Sequence, residues 1–302
     1  MQKNFTIPAD RTWYEDTCIS ASELPALDEY HVIGFEAILQ NSTSEYVHHL
    51  VLIAYTGTDN CGQDCAEFFS DSYYDTNSSS APSYVSTENG GEIPSFCDYD
   101  FAYIHAWTPG IADEQLPEDV GFRFGSASGG YTSLVLQTHY NNIDGDEGVT
   151  DSSGVRVYYT DTLRSMDMGV LALGDPGVYL EGKSISEGKS SISFECPGSC
   201  TEANFEVENV TVFSHFLHMH ENGQRMITRQ YRKNESGNEV LVHSAEVEYY
   251  SFLQAGGYVY KANNGMTIQK GDRFEIDCLY DTALSSISPD DVKFGLGSED
   301  EM

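Results

Sequence analysis

Basic residues are scarce in this chain, in which 15 lysines and arginines stand against 48 aspartates and glutamates, a formal net charge of -33. A surface of this sign repels nucleic acid and anionic membranes, so we exclude binding to either through charge. The acidity keeps a protein soluble and favours the approach of cations, including amines. Long apolar runs are also lacking, and none approaches the roughly 20 residues of a membrane-spanning helix.

The amino terminus lacks the apolar segment of a secretory signal peptide, because Met1 is followed directly by QKNFTIP. Other features nevertheless predict the secretory route. The chain has seven cysteines, and five Asn-x-Ser/Thr sequons stand at Asn4, Asn41, Asn77, Asn209 and Asn234. Together they indicate a disulfide-bonded glycoprotein that is secreted or lies in a secretory-vesicle lumen. Without a signal, and with an odd cysteine count, we expect the chain to be part of a longer protein.

Helical periodicity is scarce as well, and we find no internal repeat. Short runs rich in Val, Ile, Tyr and Phe alternate with clusters of Gly, Ser, Asn and Asp. This pattern predicts an all-β fold with antiparallel β-sandwiches of the jelly-roll type. The predicted strands are residues 31–39, 46–55, 101–106, 132–140, 155–160, 178–180, 191–194, 210–220, 225–231, 240–246 and 273–280.

A chain of 302 residues predicts two domains. The segment 161–169 follows a strong predicted strand and gives the best boundary, so we predict one β-sandwich over 1–163 and a second over 164–302. Polar segments at 70–91 and 141–153 are predicted surface loops.

The motif His218-Met219-His220 is the first candidate for chemistry. In an extended strand, side chains two positions apart lie on one face, so the two imidazoles would point the same way. Paired imidazoles suit copper or zinc. Alone, this motif is weak evidence, since one histidine could be buried in a core and the other exposed.

Three further histidines could form another site. His48 and His49 are adjacent within a predicted strand, where neighbours face opposite sides. Both could bind one ion only where the strand bulges or ends. His139 stands near the end of another predicted strand, beside a loop, where functional sites are often built.

The combination of motifs is more specific. HHLVLI from His48, LQTHYNN from Leu136, DSSGVRVYYT from Asp151 and FLHMH from Phe216 occur in that order. The chain resembles the copper type II, ascorbate-dependent monooxygenases, the family of dopamine β-hydroxylase and peptidylglycine α-hydroxylating monooxygenase. The resemblance covers nearly all of the chain and is closer to the dopamine β-hydroxylase branch.

The resemblance implies two coppers, one in each of two sandwiches packed side by side, facing each other across an interdomain cleft. His48, His49 and His139 match the three-histidine site that stores and passes an electron. His218, His220 and Met302 match the catalytic oxygen-binding site, in which a thioether favours Cu(I). The implied reaction uses O2 and ascorbate to hydroxylate an aliphatic C–H bond of a small substrate.

The other methionines and histidines are rival ligands. Met219 would face away from its histidine neighbours in a strand, and Met226 and Met266 have no motif context. The remaining histidines match no ligand position and are expected to pack, form hydrogen bonds or support the ligands: His31, His105, His215 and His243.

The cysteines are less determined. Cys18, Cys61, Cys65 and Cys97 could form two disulfides in the first sandwich, with three possible connectivities. Cys278 matches the partner of a family cysteine that follows the residue matching Met302, and it would be a thiol here. Cys196 and Cys200 could be bonded together, remain thiols or bind a metal, the last disfavoured by a secretory route.

Substrate choice is poorly specified. The peptide-amidating branch carries an arginine two residues before its HxH, where this chain has Phe216, which disfavours a peptide carboxylate. An amine substrate is an expectation by analogy alone. The alternative is a secreted copper-binding or recognition module without turnover. A metal-free adhesion sandwich is a further rival, and the sequence does not determine the oligomeric state.

Overall fold

The computed structural model describes residues 4–10, 12–56, 101–127, 129–174, 185–205, 207–251, 256–259, 266–284 and 292. Within them the chain is built almost entirely of strands. The strands are β1 Phe5–Thr6, β2 Thr12–Ile19, β3 Tyr30–Ile38, β4 Val47–Thr56, β5 Phe101–Trp107, β6 Glu114–Gln115, β7 Val120–Phe124, β8 Tyr131–Asn141, β9 Thr150–Asp151, β10 Gly154–Thr160, β11 Met166–Asp167, β12 Lys189–Cys196, β13 Asn209–Val212, β14 Ser214–Leu217, β15 Gly223–Lys233, β16 Glu239–Val247, β17 Gly256–Val259, β18 Met266–Gln269 and β19 Arg273–Asp281.

Helical structure is short. The α-helix α1 spans Gly198–Asn204, and two 3-10 turns span Ala21–Glu23 and Thr282–Leu284. Among the described residues, no helix is long and apolar enough to cross a membrane. The predicted all-β class is therefore confirmed.

The chain divides into two compact units, Met1–Leu171 and Ala172–Met302. In the first unit the main sheet has the order β10-β3-β7-β8-β4-β5, with β2 on β8, β6 on β3 and β11 on β7. Most of its pairs are antiparallel, while β11 with β7 and β7 with β8 pair in parallel. Its core contains large side chains that solvent does not reach, among them Phe35, Leu50, Leu52, Phe122 and Phe124.

Strand β8 lies between β2 and β4, and eight consecutive residues of it are buried. A strand covered on both faces lacks the polar alternation of a surface strand, which explains the continuous apolar run that predicted it. Near its carboxyl end, β8 is contacted by side chains of both neighbouring strands, Tyr14 of β2 and His49 of β4. This end of β8 contains His139.

The second unit has a four-stranded sheet in the order β12-β19-β15-β16 and the two-stranded pairs β13-β18 and β14-β17. Strand β19 shows the period of two that a half-buried strand requires, with alternate residues buried. Its inward residues join a core that includes Leu217, Met219, Met226, Tyr250 and Val292.

Most predicted strands are present with bounds that differ by at most two residues at either end. The prediction at 178–180 and the predicted loop at 70–91 lie outside the described residues. The single strand predicted over 210–220 is wrong, because Phe213 separates β13 from β14 and β14 ends at Leu217. The sequence did not predict the helix α1 or the strands β1, β2, β6, β7, β11, β17 and β18.

The predicted loop at 141–153 contains the short strand β9, which pairs with β1. Composition placed the domain boundary at 163/164, and the contacts divide the chain after Leu171. Residues Met166 and Asp167 pair with β7, which assigns this connecting stretch to the first unit.

Candidate metal centres

The start of β4 carries a bulge. Val47 pairs with Tyr140 of β8 and His49 pairs with His139, so the register shifts between Val47 and His49. The extra residue, His48, turns out of the regular alternation, as a bulged residue does. Two adjacent histidines can therefore direct their rings to the same side, which a regular strand would forbid.

The three imidazoles converge through the same ring atom. Nδ1 of His48 lies 3.2 Å from Nδ1 of His49, which in turn lies 3.4 Å from Nδ1 of His139. One ligand atom from each residue lies within 4.8 Å of the others. His139 is fully buried, while His48 and His49 are half-buried. Elsewhere in the described ranges, no other three His, Cys, Asp or Glu side chains gather their ligand atoms in this way.

This spacing matches the coordination of a transition metal. Metal–imidazole bonds of about 2.0–2.1 Å at tetrahedral angles separate two ligand nitrogens by about 3.3 Å. Each neutral imidazole offers one lone pair, and three lone pairs directed at one point favour a cation between them. Imidazole suits copper, zinc, iron and nickel.

Tyr14 supports this cluster, and the sequence did not reveal it. Tyr14 pairs with His139 across β2 and β8, and the two rings are stacked with centroids 4.2 Å apart and an interplanar angle of 12°. The same tyrosine ring lies 5.8 Å from the ring of His49. Tyr14 is buried, so it restricts His139 on one face.

A buried carboxylate fixes the chain just after His139. Asp151 has no exposed surface and accepts hydrogen bonds from the hydroxyls of Thr43, Ser153 and Tyr140 and from the Ser153 backbone N–H. Burial, together with the adjacent carboxylate, raises the pKa of Tyr140 far above its usual range, so this hydroxyl remains a donor. The DSS motif thus has a structural role beside the cluster.

In the second unit, His218 and His220 follow the end of β14. Their ring centroids lie 5.2 Å apart at an angle of 79°. His220 is buried and His218 is half-buried. The rings lie close together although the residues are not in the regular strand from which this closeness was predicted. Phe216 stacks on His218 with centroids 6.0 Å apart.

Met219, between the two histidines, is packed in the core. It has no exposed surface, and its backbone N–H donates to the Tyr250 hydroxyl at 3.0 Å, while that hydroxyl donates to the Met219 carbonyl. Its side chain lies against Gly223, where an added Cβ would be 3.1 Å from the Met219 Sδ. These contacts place the Met219 side chain in the core of the second unit.

Comparison with known proteins decides the family. Residues 1–147 match the N-terminal domain of the copper type II ascorbate-dependent monooxygenases, and residues 166–302 match their C-terminal domain. The chain belongs to this family. Copper and ascorbate are thus the cofactor and the reductant that the family implies, and the three-histidine cluster is a donor set that fits copper.

Several curated members of this family are similar to the chain in sequence. Dopamine beta-hydroxylase of Equus caballus is 28% identical over 86% of this chain and 39% of the relative. DBH-like monooxygenase protein 2 of Mus musculus is 30% identical over 92% of this chain and 40% of the relative. Tyramine beta-hydroxylase of Caenorhabditis briggsae is 29% identical over 66% of this chain and 32% of the relative. The chain spans about two fifths or less of the length of these monooxygenases.

The remaining ligand candidates of this chain occupy other places. Met302, the predicted third ligand of the His218/His220 centre, lies outside the described residues. Met226 is buried in the core of the second unit, and Met266 packs against that core.

The other histidines have contacts of their own. His105 is hydrogen-bonded through Nδ1 to Glu114 at 2.9 Å and stacks on a core phenylalanine. The rings of His215 and His243 lie 6.5 Å apart, and burial lowers the pKa of both. For His215, the neighbouring His243 adds to that lowering.

Among the cysteines, Cys18 is disulfide-bonded, and the other three predicted participants in the first sandwich lie outside the described residues. Cys196, Cys200 and Cys278 are thiols. Burial and the hydrogen-bonded neighbour Cys200 raise the pKa of Cys196.

Proposed function

We propose that this protein is a copper-dependent monooxygenase that hydroxylates an aliphatic C–H bond of a small substrate. One oxygen atom of O2 enters the substrate, the other leaves as water, and ascorbate supplies the two electrons. The observation that carries the proposal is the convergence of three histidine Nδ1 atoms at 3.2 and 3.4 Å, in a chain of this family.

In this proposal His48, His49 and His139 would hold the first copper, which would supply electron storage and transfer. Their role is to present three neutral nitrogens in a fixed arrangement, so that the ion changes charge without a large rearrangement of its ligands. The bulge of β4 supplies two of the nitrogens, and β8, stacked against Tyr14, supplies the third. When bound, copper supplies one-electron redox chemistry.

His218, His220 and Met302 would hold the second copper, which would supply the chemistry that activates O2. A donor set of two imidazoles and a thioether favours the reduced ion. The burial of His220 would limit the access of water to this copper, while the half-buried His218 would leave part of the site accessible to a substrate.

Amines are the substrate class to test first. The net charge of -33 attracts cations over long range, and the dopamine and tyramine beta-hydroxylases are named for amine substrates. Phe216 stands where an arginine would bind a peptide carboxylate, which is a further reason to place peptide acids lower.

The protein would act in a secretory compartment or outside the cell. The disulfide of Cys18 supports this, because disulfides persist in oxidising compartments. Asn4, Asn41, Asn209 and Asn234 are exposed and accessible to glycosylation.

The test measures the copper content and the oxygen consumption of the protein separately. After reconstitution we expect two coppers per chain by elemental analysis, and one in each of the variants His139→Ala and His220→Ala. Oxygen uptake should require ascorbate and respond to a panel of amines. Both variants should lose turnover, while His105→Gln, which alters a histidine outside both clusters, should keep it.

A secreted copper-binding module without turnover is the second candidate function. The three-histidine cluster supports it as well, because three converging imidazoles can bind copper with or without turnover of a substrate. Copper binding with no ascorbate-dependent oxygen uptake on any amine would select it. No copper after reconstitution would exclude both functions.

A further inference from the structure

The first unit contains a cavity at some distance from the three-histidine cluster. Its volume is about 500 Å³, and residues of β2, β3, β7, β8 and β10 form its walls. Leu134, one of these residues, lies five positions before His139 on β8, which is about 17 Å at 3.4 Å per residue. The lining residues include none of the six proposed copper ligands.

The inner wall of this cavity is buried and almost wholly apolar. It consists of Ile19, Tyr30, Val32, Phe124, Leu134 and Val155, none of which is more than 6% exposed. Protein interiors are otherwise close-packed, with few spaces larger than a water molecule. Water inside an apolar wall finds few hydrogen-bond partners. The volume falls within the range of about 300–1,000 Å³ that is typical of small-molecule sites.

The pairing of β3 with β10 explains how the wall forms. Alternate residues of a strand lie on one face, and Val155, Val157 and Tyr159 of β10 all line the cavity. The register with β3 shifts beside Tyr159, which pairs with Val32. Because paired residues share a face, this bulge places Val32, and two positions away Tyr30, on the face that lines the cavity.

Tyr30 supplies the only polar side-chain atom of the inner wall. Its ring centroid lies 5.5 Å from those of Phe124 and Tyr159. In the part of the chain that the structure describes, no group forms a hydrogen bond with the Tyr30 hydroxyl. Burial raises the pKa of Tyr30, and the neighbouring Tyr159 adds to the rise, so the hydroxyl remains a donor. Buried hydroxyls normally have a partner, which a ligand in the cavity would provide.

The mouth of the cavity carries charges that are already paired. Glu23, Arg156 and Tyr159 line it and are exposed. The Glu23 carboxylate accepts from the backbone N–H and the hydroxyl of Ser20, and the Arg156 guanidinium binds Glu36. None of the six inner-wall side chains is charged, so a charged ligand group would lose its hydration without gaining an opposite charge. The wall therefore favours a neutral ligand.

We propose that this cavity binds a neutral, largely apolar small molecule whose oxygen atom accepts a hydrogen bond from the Tyr30 hydroxyl. Phenols and aromatic alcohols belong to this class, since their rings can pack against those of Phe124 and Tyr159. The inference does not depend on copper or on the proposed function.

Binding of 2-naphthol to the full, metal-free chain tests the proposal, with the fluorescence of 2-naphthol as the signal. We expect one bound molecule per chain. Tyr30→Phe keeps the ring and removes the hydroxyl, and it should weaken binding roughly threefold to tenfold, as expected for the loss of one neutral hydrogen bond. Naphthalene, which lacks the oxygen, should bind both proteins equally. Tyr103→Phe, which alters an exposed tyrosine of the same unit, should bind 2-naphthol as wild type does.

Two further measurements locate the bound 2-naphthol. Val157→Trp fills part of the cavity from a half-buried position and should weaken binding more than tenfold, with circular dichroism to verify folding. Methyl NMR of the wild-type chain needs no variant. The aromatic probe should shift the methyl signals of Leu134 and Val155, whereas those of Leu50, a buried residue outside the lining, should not move.

Four results would each overturn the proposal. The first is no binding of 2-naphthol up to its solubility limit, and the second is equal affinity in wild type and Tyr30→Phe. The third is a folded Val157→Trp protein that binds as wild type does. The fourth is binding that leaves the Leu134 and Val155 methyl signals unshifted.

Discussion

The ring of Tyr14 lies parallel to the imidazole of His139, with centroids 4.2 Å apart and planes 12° from each other. The pair forms where β2 and β8 are in register, and both side chains are buried. A stacked aromatic face fixes the orientation of an imidazole and hence the direction of its lone pair. Tyr14 is therefore a positioning residue for the three-histidine cluster.

Two substitutions of Tyr14 distinguish the contribution of its aromatic ring from that of its hydroxyl. Tyr14→Leu should weaken copper binding at this centre about tenfold or more, since residues that orient metal ligands commonly contribute 10–100-fold. Tyr14→Phe keeps the stacked ring and should bind nearly as tightly as wild type. Competition with a chromophoric chelator measures both. Tyr103→Leu, an exposed tyrosine of the same unit, is the control, and equal affinities for the Leu and Phe variants would refute the role.

Copper binding should stabilise the protein, because a ligand that binds only the folded state adds about 2.7 kcal/mol at a concentration 100 times its dissociation constant. We expect copper to raise the midpoint of thermal unfolding and a chelator to reverse this. His49→Gln should lose the part of the shift that belongs to the first centre, whereas His105→Gln should keep it. A His49→Gln protein that responds to copper like wild type would remove His49 from the ligand set.

The sequence predicted the β class and most strands because alternating and continuous apolar runs follow directly from burial on one or two faces. It also stated the condition for joint ligation by His48 and His49, a bulge, but the bulge itself depends on the register between β4 and β8. That register involves residues some 90 positions apart and leaves no local mark in the sequence.

Strand β2 was missed for a related reason. Its sequence, TWYEDTCI, contains two adjacent acidic residues and lacks clean alternation. Pairing with β8 makes it a strand, and this tertiary contact overrides a weak local preference. The sequence patterns did not predict the break at Phe213 or the end of β14 at Leu217. Both depend on the pairing of β13 with β18 and of β14 with β17, which sequence patterns do not reveal.

Packing beside the HxH motif predicts an effect on stability. An added Cβ at Gly223 would lie 2.6 Å from the Met219 Cβ, so Gly223→Ala must displace the segment between His218 and His220. Overpacking of this kind costs about 1–3 kcal/mol. Urea unfolding of the metal-free chain should show the loss, whereas Gly174→Ala, with open space around it, should change little. An unaltered midpoint for Gly223→Ala would show that Met219 repacks freely.

The buried ion pair of Asp272 and Arg232 predicts how stability depends on pH. Asp272 has no exposed surface, yet the guanidinium of Arg232 at 2.7 Å and the amides of Gln230 and Gln269 hold the pKa of Asp272 below its usual range despite burial. Because the folded state lowers this pKa, the pair stabilises the fold above the usual aspartate range and ceases to do so as the pH falls through the lowered pKa. Asp272→Asn should therefore cost roughly 2–3 kcal/mol at pH 7 and lose less further stability than wild type between pH 4 and pH 2. Glu208→Gln, in the exposed and longer pair with Lys270, should cost under about 0.5 kcal/mol. Denaturant unfolding at several pH values measures all three proteins, and an Asp272→Asn variant that is as stable as wild type at pH 7 would show that the buried pair contributes no net stability.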